Sequence, residues 1–107
     1  MRDIRVAVAG AFGQMGRETV RAVQQASGMQ LVACIDRPGA VRDLPLAPGA
    51  ATYDGPMVCF AQEQVDVVVD FTHAEPALTL ARAAILHGVR PVIGATGLAE
   101  THLDELD

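Results

Sequence analysis

The sequence predicts an α/β domain whose parallel sheet is covered by helices on both faces. Three observations carry this: short runs of β-branched and small apolar residues alternate with segments of helical period, glycines fall where helices should end, and a glycine-rich turn follows the first run. At 107 residues the chain suits one domain, and half of it is hydrophobic. With one Tyr, three Phe and no Trp, the core falls to Val, Ala, Ile and Leu, as suits strands buried on both sides.

Residues 4–9 are apolar, rich in β-branched side chains and end at Gly10, which predicts a buried strand. From 14 to 27 the pattern turns helical, with Met15, Thr19, the pair Ala22 and Val23, and Ala26 at steps of three to four, and Gly28 stands at the C-terminal cap. Residues 30–36 form a second strand. Pro38, Pro45, Pro48 and two glycines make 37–49 a loop. A short edge strand at 51–53 and a brief helix at 57–62 follow.

Residues 65–71 (VDVVVDF) are the strongest strand after the first. Pro76 suits the first turn of a helix reaching about His87, which Gly88 caps. Residues 91–94 make a fifth strand, and 100–106, with Leu103 and Leu106 three apart, open another helix. Such alternation implies parallel pairing through right-handed crossovers. The expected order is 3-2-1-4-5, in a three-layer, doubly wound, Rossmann-like sheet. The sequence stops at Asp107 inside a predicted helix, which predicts that residues 1–107 are the N-terminal dinucleotide-binding part of a longer enzyme.

The chemistry begins at the first turn. Gly10, Gly13 and Gly16 form a GxxGxxG loop between strand and helix. One glycine permits the tight turn, another lets backbone approach a pyrophosphate, and a third lets helix pack on strand. The pyrophosphate would sit over the helix N-terminus, where free N–H groups and the dipole favour negative charge. Asp36 lies twenty residues past Gly16, at the end of the second strand. A carboxylate there accepts hydrogen bonds from the adenosine ribose hydroxyls and repels a 2′-phosphate, whereas Arg37 beside it could pair with that phosphate. NADH is therefore expected first, with NADPH tolerated.

Ligands of such sheets bind beyond the carboxyl ends of the strands. Phe71, Thr72 and His73 end the fourth strand, and Gly94, Ala95, Thr96 and Gly97 end the fifth, so both segments are expected at the nicotinamide half of the crevice. His73 has no carboxylate or nucleophile beside it in sequence and is expected to line the crevice or face solvent. His87 and His102 are expected at the surface. No residue here is assigned a catalytic role.

Several functions are disfavoured. A net charge of −5 argues against a nucleic-acid partner. No apolar stretch approaches the ~20 residues of a membrane span, and the N-terminus lacks a signal peptide's apolar region; a cytoplasmic protein is expected. Cys34 and Cys59 have no metal-ligand spacing and are expected to be buried, inert thiols. No metal is expected.

Three stretches, VAVAGAFGQMGRE, VVVDFTHAEPAL and the HGV-RPVIGATG segment, together resemble the N-terminal domain of bacterial dihydrodipicolinate reductases over nearly the whole chain. The glycine loop is common among dehydrogenases; DFT followed by IG-x-TG is much more specific. The resemblance implies that Gly10, Ala11, Phe12, Gly13, Gln14 and Met15 cradle the pyrophosphate of NAD or NADP. It places Asp36 on the ribose and Arg37 by the NADPH phosphate. Gly94, Ala95 and Thr96 would contact nicotinamide and border the substrate, although Ala95 departs from the Gly-Thr-Thr-Gly form common there. Phe12 puts a bulky ring into the loop. The reaction implied is hydride transfer to a cyclic unsaturated dicarboxylate, in lysine and diaminopimelate synthesis. The family's Lys-x-Asp-x-Pro-Ser-Gly-Thr motif and His-rich stretch do not occur here. By that resemblance the parent is a homotetramer built through the missing domain, and the fragment is an inactive monomer. Two rival readings are the cofactor domain of a homoserine or inositol dehydrogenase and a non-catalytic NAD(H)-sensing module.

Overall fold

The structure, a computed structural model, describes residues 3–71 and 74–93. Five strands, β1 (Ile4–Ala9), β2 (Met29–Ile35), β3 (Ala51–Tyr53), β4 (Val67–Asp70) and β5 (Arg90–Ile93), form one sheet in the order β3-β2-β1-β4-β5. Every neighbouring pair is parallel. The expected topology is the one found. Helices α1 (Gln14–Gln25), α2 (Pro56–Gln62) and α3 (Ala74–Leu86) supply the crossovers.

The pleat divides the core in two. On one face Val6 and Val8 of β1 pack with Leu31 and Cys34 of β2 and with Val20 and Val23 of α1. On the other, Ala7 and Ala9 meet Val68, Phe60 of α2 and Leu80 and Ala84 of α3. The β1–β2 register slips between Val6 and Ala7: Val6 pairs with Leu31 but Ala7 with Ala33. Val32 is thus an extra residue in β2, and Val32 and Ala33 both join the α2–α3 core. A bulge of this kind adds local twist without breaking the strand.

Element ends follow local chemistry. α1 stops at Gln25 rather than 27, because the Ala26 N–H turns back to the Val23 carbonyl at 3.2 Å. Gly28 then takes φ +86°, and its carbonyl accepts the Ile4 N–H at 2.9 Å, which starts β2 beside β1. β2 begins one residue earlier than expected and ends at Ile35. β4 is shorter than the expected 65–71. At its entry the Arg5 N–H donates to the Asp66 carboxylate (2.9 Å), a side-chain bond that departs from the backbone ladder. α2 starts at Pro56, whose missing N–H is no loss in a first turn. Gly88, at φ +74°, ends α3 as expected. The helix expected at 100–106 lies outside the described residues. Among the described residues no helix is long and apolar enough to cross a membrane.

Candidate functional site

The carboxyl ends of β1, β2 and β4 open onto a cleft of about 860 Å³. Its floor is the turn between β1 and α1. Gly10 adopts φ +71°, a conformation that favours glycine, and its N–H donates to the Ile35 carbonyl at 2.8 Å. The Gly13 N–H closes the turn on the Gly10 carbonyl at 3.2 Å.

The other two glycines serve different ends. A Cβ on Gly16 would stand 1.9 Å from the Gly10 oxygen and 2.7 Å from its carbonyl carbon. Helix α1 can press against the turn only because Gly16 is bare. A Cβ on Gly13 would meet nothing closer than the Gly10 oxygen at 3.5 Å, an ordinary contact. The protein's own packing does not demand a glycine at 13, and that position faces the cleft. Gly13 is also the N-cap of α1 and offers no side-chain cap, and the first turn holds no acidic residue. The helix therefore turns its first N–H groups and its positive dipole end toward the turn, an arrangement suited to an anion.

Asp36 follows β2 directly and is half-buried. One carboxylate oxygen accepts the Phe12 N–H at 3.0 Å and the other accepts the Arg37 N–H at 2.8 Å. The acid is thereby locked against the glycine loop. Each oxygen keeps a second lone pair for an outside donor.

Of the residues singled out from sequence, Gly10, Phe12, Gly13, Asp36, Arg37 and Phe71 come together in the wall of this one cleft. Ala11 does not: its side chain is fully buried and its N–H turns to the Ile35 carbonyl. Gln14 and Met15 are exposed on the first turn of α1, off the cleft wall. Thr72, His73, Gly94, Ala95, Thr96 and His102 lie outside the described residues. His87 is exposed, with its ring 6.1 Å from that of Phe60.

Sequence reasoning missed how loop 37–50 is fastened beside the cleft. Arg17 of α1 donates from Nε to the Phe12 carbonyl (2.8 Å) and from Nη2 to the Val41 carbonyl (3.2 Å), and pairs with Asp43. That hydrogen bond holds the Asp43 carboxyl below its usual range. Gln24 grips the loop twice, accepting the Ala47 N–H at 2.7 Å and donating to the Pro45 carbonyl at 3.4 Å. Arg42 pairs with Asp54 at 2.6 Å and lies 5.7 Å over the Phe12 ring. The signal in the sequence is the Arg42-Asp43 dipeptide inside a proline-rich loop, with Arg17 on the preceding helix.

Cys34 and Cys59 are free and buried; burial pushes their thiols up to about 11 and about 12. They are inert at neutral pH. Among the described residues no group of three or more His, Cys, Asp or Glu could hold a metal.

The family profile "Dihydrodipicolinate reductase, N-terminus" matches residues 4–107. A 4-hydroxy-tetrahydrodipicolinate reductase of Thermosynechococcus vestitus is 42% identical over 112 residues, which cover 96% of this chain and 41% of that protein. The chain thus spans about two fifths of the length of the curated relatives it matches. A solved structure of dipicolinate-bound dihydrodipicolinate reductase from Paenisporosarcina sp. TG-14 superposes with a TM-score of 0.83 at 27% identity, over 97% of this chain and 42% of that one. The myo-inositol 2-dehydrogenase of Lactobacillus plantarum has a TM-score of 0.70 at 22% identity, over 98% of this chain and 32% of that one. That likeness is one of fold alone.

Proposed function

We propose, from the premise that this chain belongs to the dihydrodipicolinate reductase family through its N-terminal domain, that it holds NAD(H) or NADP(H) for a reductase. The observation that carries the reading is the pairing of Asp36 with the glycine loop: one carboxylate closes the cleft floor through the Phe12 N–H and faces the same cleft as Gly13. The residues present fit a dinucleotide. Gly13 leaves room that its own surroundings do not fill, and the uncapped end of α1 suits a pyrophosphate.

In this reading Gly10, Phe12 and Gly13 shape the phosphate floor, and Asp36 accepts the adenosine ribose hydroxyls. Arg37 stands where a 2′-phosphate would come. Phe71 closes the cleft beside β4, and Thr72, Gly94, Ala95 and Thr96 border the nicotinamide. Gln14 and Met15 contribute backbone rather than side chains, and Ala11 supports the turn. The bound cofactor supplies the hydride; the protein orients it and excludes water.

The substrate proposed for the whole enzyme is a cyclic unsaturated dicarboxylate, dihydrodipicolinate, in lysine and diaminopimelate synthesis; the Paenisporosarcina relative binds the related dicarboxylate dipicolinate. Two carboxylates call for fixed cations, and this chain has no Lys. Arg90 pairs with Val67 at the start of β4, the edge of the sheet opposite the cleft. Residues beyond 107 are therefore proposed to bind and protonate the substrate. The test is calorimetric titration of the chain with NADH and NADPH: saturable binding supports the reading. A folded chain that binds neither at millimolar concentration removes it.

A further inference from the structure

The adenosine side of the cleft carries a second carboxylate, Asp54. β2 and β3 run parallel with Ile35 opposite Tyr53, and the Asp36 N–H donates to the Tyr53 carbonyl at 3.1 Å. The next residue on each strand, Asp36 and Asp54, therefore leaves the same sheet edge side by side, at the spacing of neighbouring strands, about 4.8 Å. Both line the cleft. Asp54 is the more exposed, and its Oδ1 accepts from Nη2 of Arg42 at 2.6 Å. The same guanidinium lies over the face of Phe12, which is itself in the cleft wall. Two arginines thus flank the adenosine end. Arg37 is exposed at its mouth, whereas Arg42 is drawn onto Asp54.

We propose that Asp54 is a second determinant of cofactor choice, which occupies Arg42 and sets a negative charge beside Asp36 where a 2′-phosphate would lie. This inference rests on the dinucleotide reading above. A dinucleotide with a free 2′-hydroxyl meets Asp36 as an acceptor and is indifferent to Asp54. A 2′-phosphate meets two carboxylates and, among the described residues of the cleft wall, one available guanidinium, Arg37. Removing the charge at 54 takes away one repulsion and frees a second guanidinium, the group best matched to phosphate oxygens.

The experiment is titration of the chain and its variants with NADH and NADPH at low salt. Asp54→Asn shifts the ratio of the two dissociation constants toward NADPH by about tenfold, the size of one charge-assisted contact. Arg42→Met added to Asp54→Asn returns most of that shift. Raising the salt to 0.5 M shrinks it, because exposed charges are screened; a merely structural effect would not respond in this way. Asp54→Ser, with melting followed by circular dichroism, guards against a folding defect of the first variant. If the parent chain binds NADH and the ratio stays within twofold in both variants, Asp54 has no part in selection. If the parent chain binds neither nucleotide, the dinucleotide reading fails and this inference falls with it.

Discussion

The backbone N–H of Phe12 donates to a carboxylate oxygen of Asp36 at 3.0 Å, across twenty-four residues of sequence. The glycine loop after β1 and the acid after β2 are therefore one unit. The acid both shapes the loop and faces the cleft beside it. Substitution at 36 thus acts on loop and ligand together.

Asp36→Ala is expected to weaken NADH by about tenfold or more, since hydrogen bonds to a charged group are worth roughly 1.5–3 kcal/mol. NADPH should lose less, because the repulsion of its 2′-phosphate goes with the carboxylate. Calorimetric titration with both cofactors measures this. Equal losses would mean that Asp36 serves only to hold Phe12.

Gly13 and Gly16 should separate binding from folding. Gly16→Ala forces a Cβ into the Gly10 carbonyl, and overpacking of that kind costs about 1–3 kcal/mol or more; its melting temperature should drop clearly. Gly13→Val has room in the protein and an extended backbone (φ −79°, ψ 173°) that a β-branched residue accepts. It should fold with at most about 1 kcal/mol lost at the helix cap, yet bind no cofactor. Unchanged affinity in Gly13→Val would take the loop out of the site.

The fold was legible because each signal is local: β-branched runs, helical period and glycine caps set each element among the described residues to within about two residues. The grouping of Gly10, Gly13 and Asp36 was legible too, since a parallel sheet carries the ends of neighbouring strands to one edge. The fastening of loop 37–50 was not. Arg17, Gln24, Arg42 and Asp54 meet across distances in sequence that no period encodes, and a proline-rich loop shows only that it is a loop. Nor could sequence show that the Ala11 side chain turns inward while Phe12 borders the cleft.

Arg17→Met should release that loop. The loss removes three contacts, to Phe12, Val41 and Asp43. Limited proteolysis between residues 37 and 50 should speed up, and NADH and NADPH should weaken alike. The Arg17–Asp43 pair holds the Asp43 pKa down, so its contribution is present above the ordinary carboxylate range and is lost as pH falls through the lowered value. Proteolysis unchanged in Arg17→Met would show that the proline-rich segment holds its own shape.

The buried thiols predict an alkaline limit. Their pKa values, raised by burial to about 11 for Cys34 and about 12 for Cys59, exceed the ordinary thiol value. The unfolded chain loses these protons first. Their contribution to stability is complete below the ordinary thiol pKa and fades as pH rises toward the folded values. Melting temperature should fall progressively above pH 9, less steeply in Cys59→Ala. At pH 8 both thiols should resist iodoacetamide until the chain is denatured; rapid labelling of the folded chain would contradict their placement in the core.

The 107-residue chain is expected to show no reductase activity with dihydrodipicolinate and NADH, followed at 340 nm. General acid catalysis needs a proton donor within hydrogen-bond reach of the substrate, and nothing in the described cleft wall supplies one beside a clamp for two carboxylates. Turnover would mean that the catalytic groups lie within residues 1–107, and His73 would be the first to replace.

In the reading proposed above, one cleft, floored by the glycine loop and bordered by Asp36, holds the cofactor. Its most direct test is an NMR titration of the isotopically labelled chain with NADH. Saturable shifts are expected in the amides of Gly10, Phe12, Gly13 and Arg37, with the amides of Arg5 and Arg90 at the opposite sheet edge unmoved. Shifts confined to that opposite edge, or none at millimolar NADH in a chain with the dispersed spectrum of a folded protein, would contradict it.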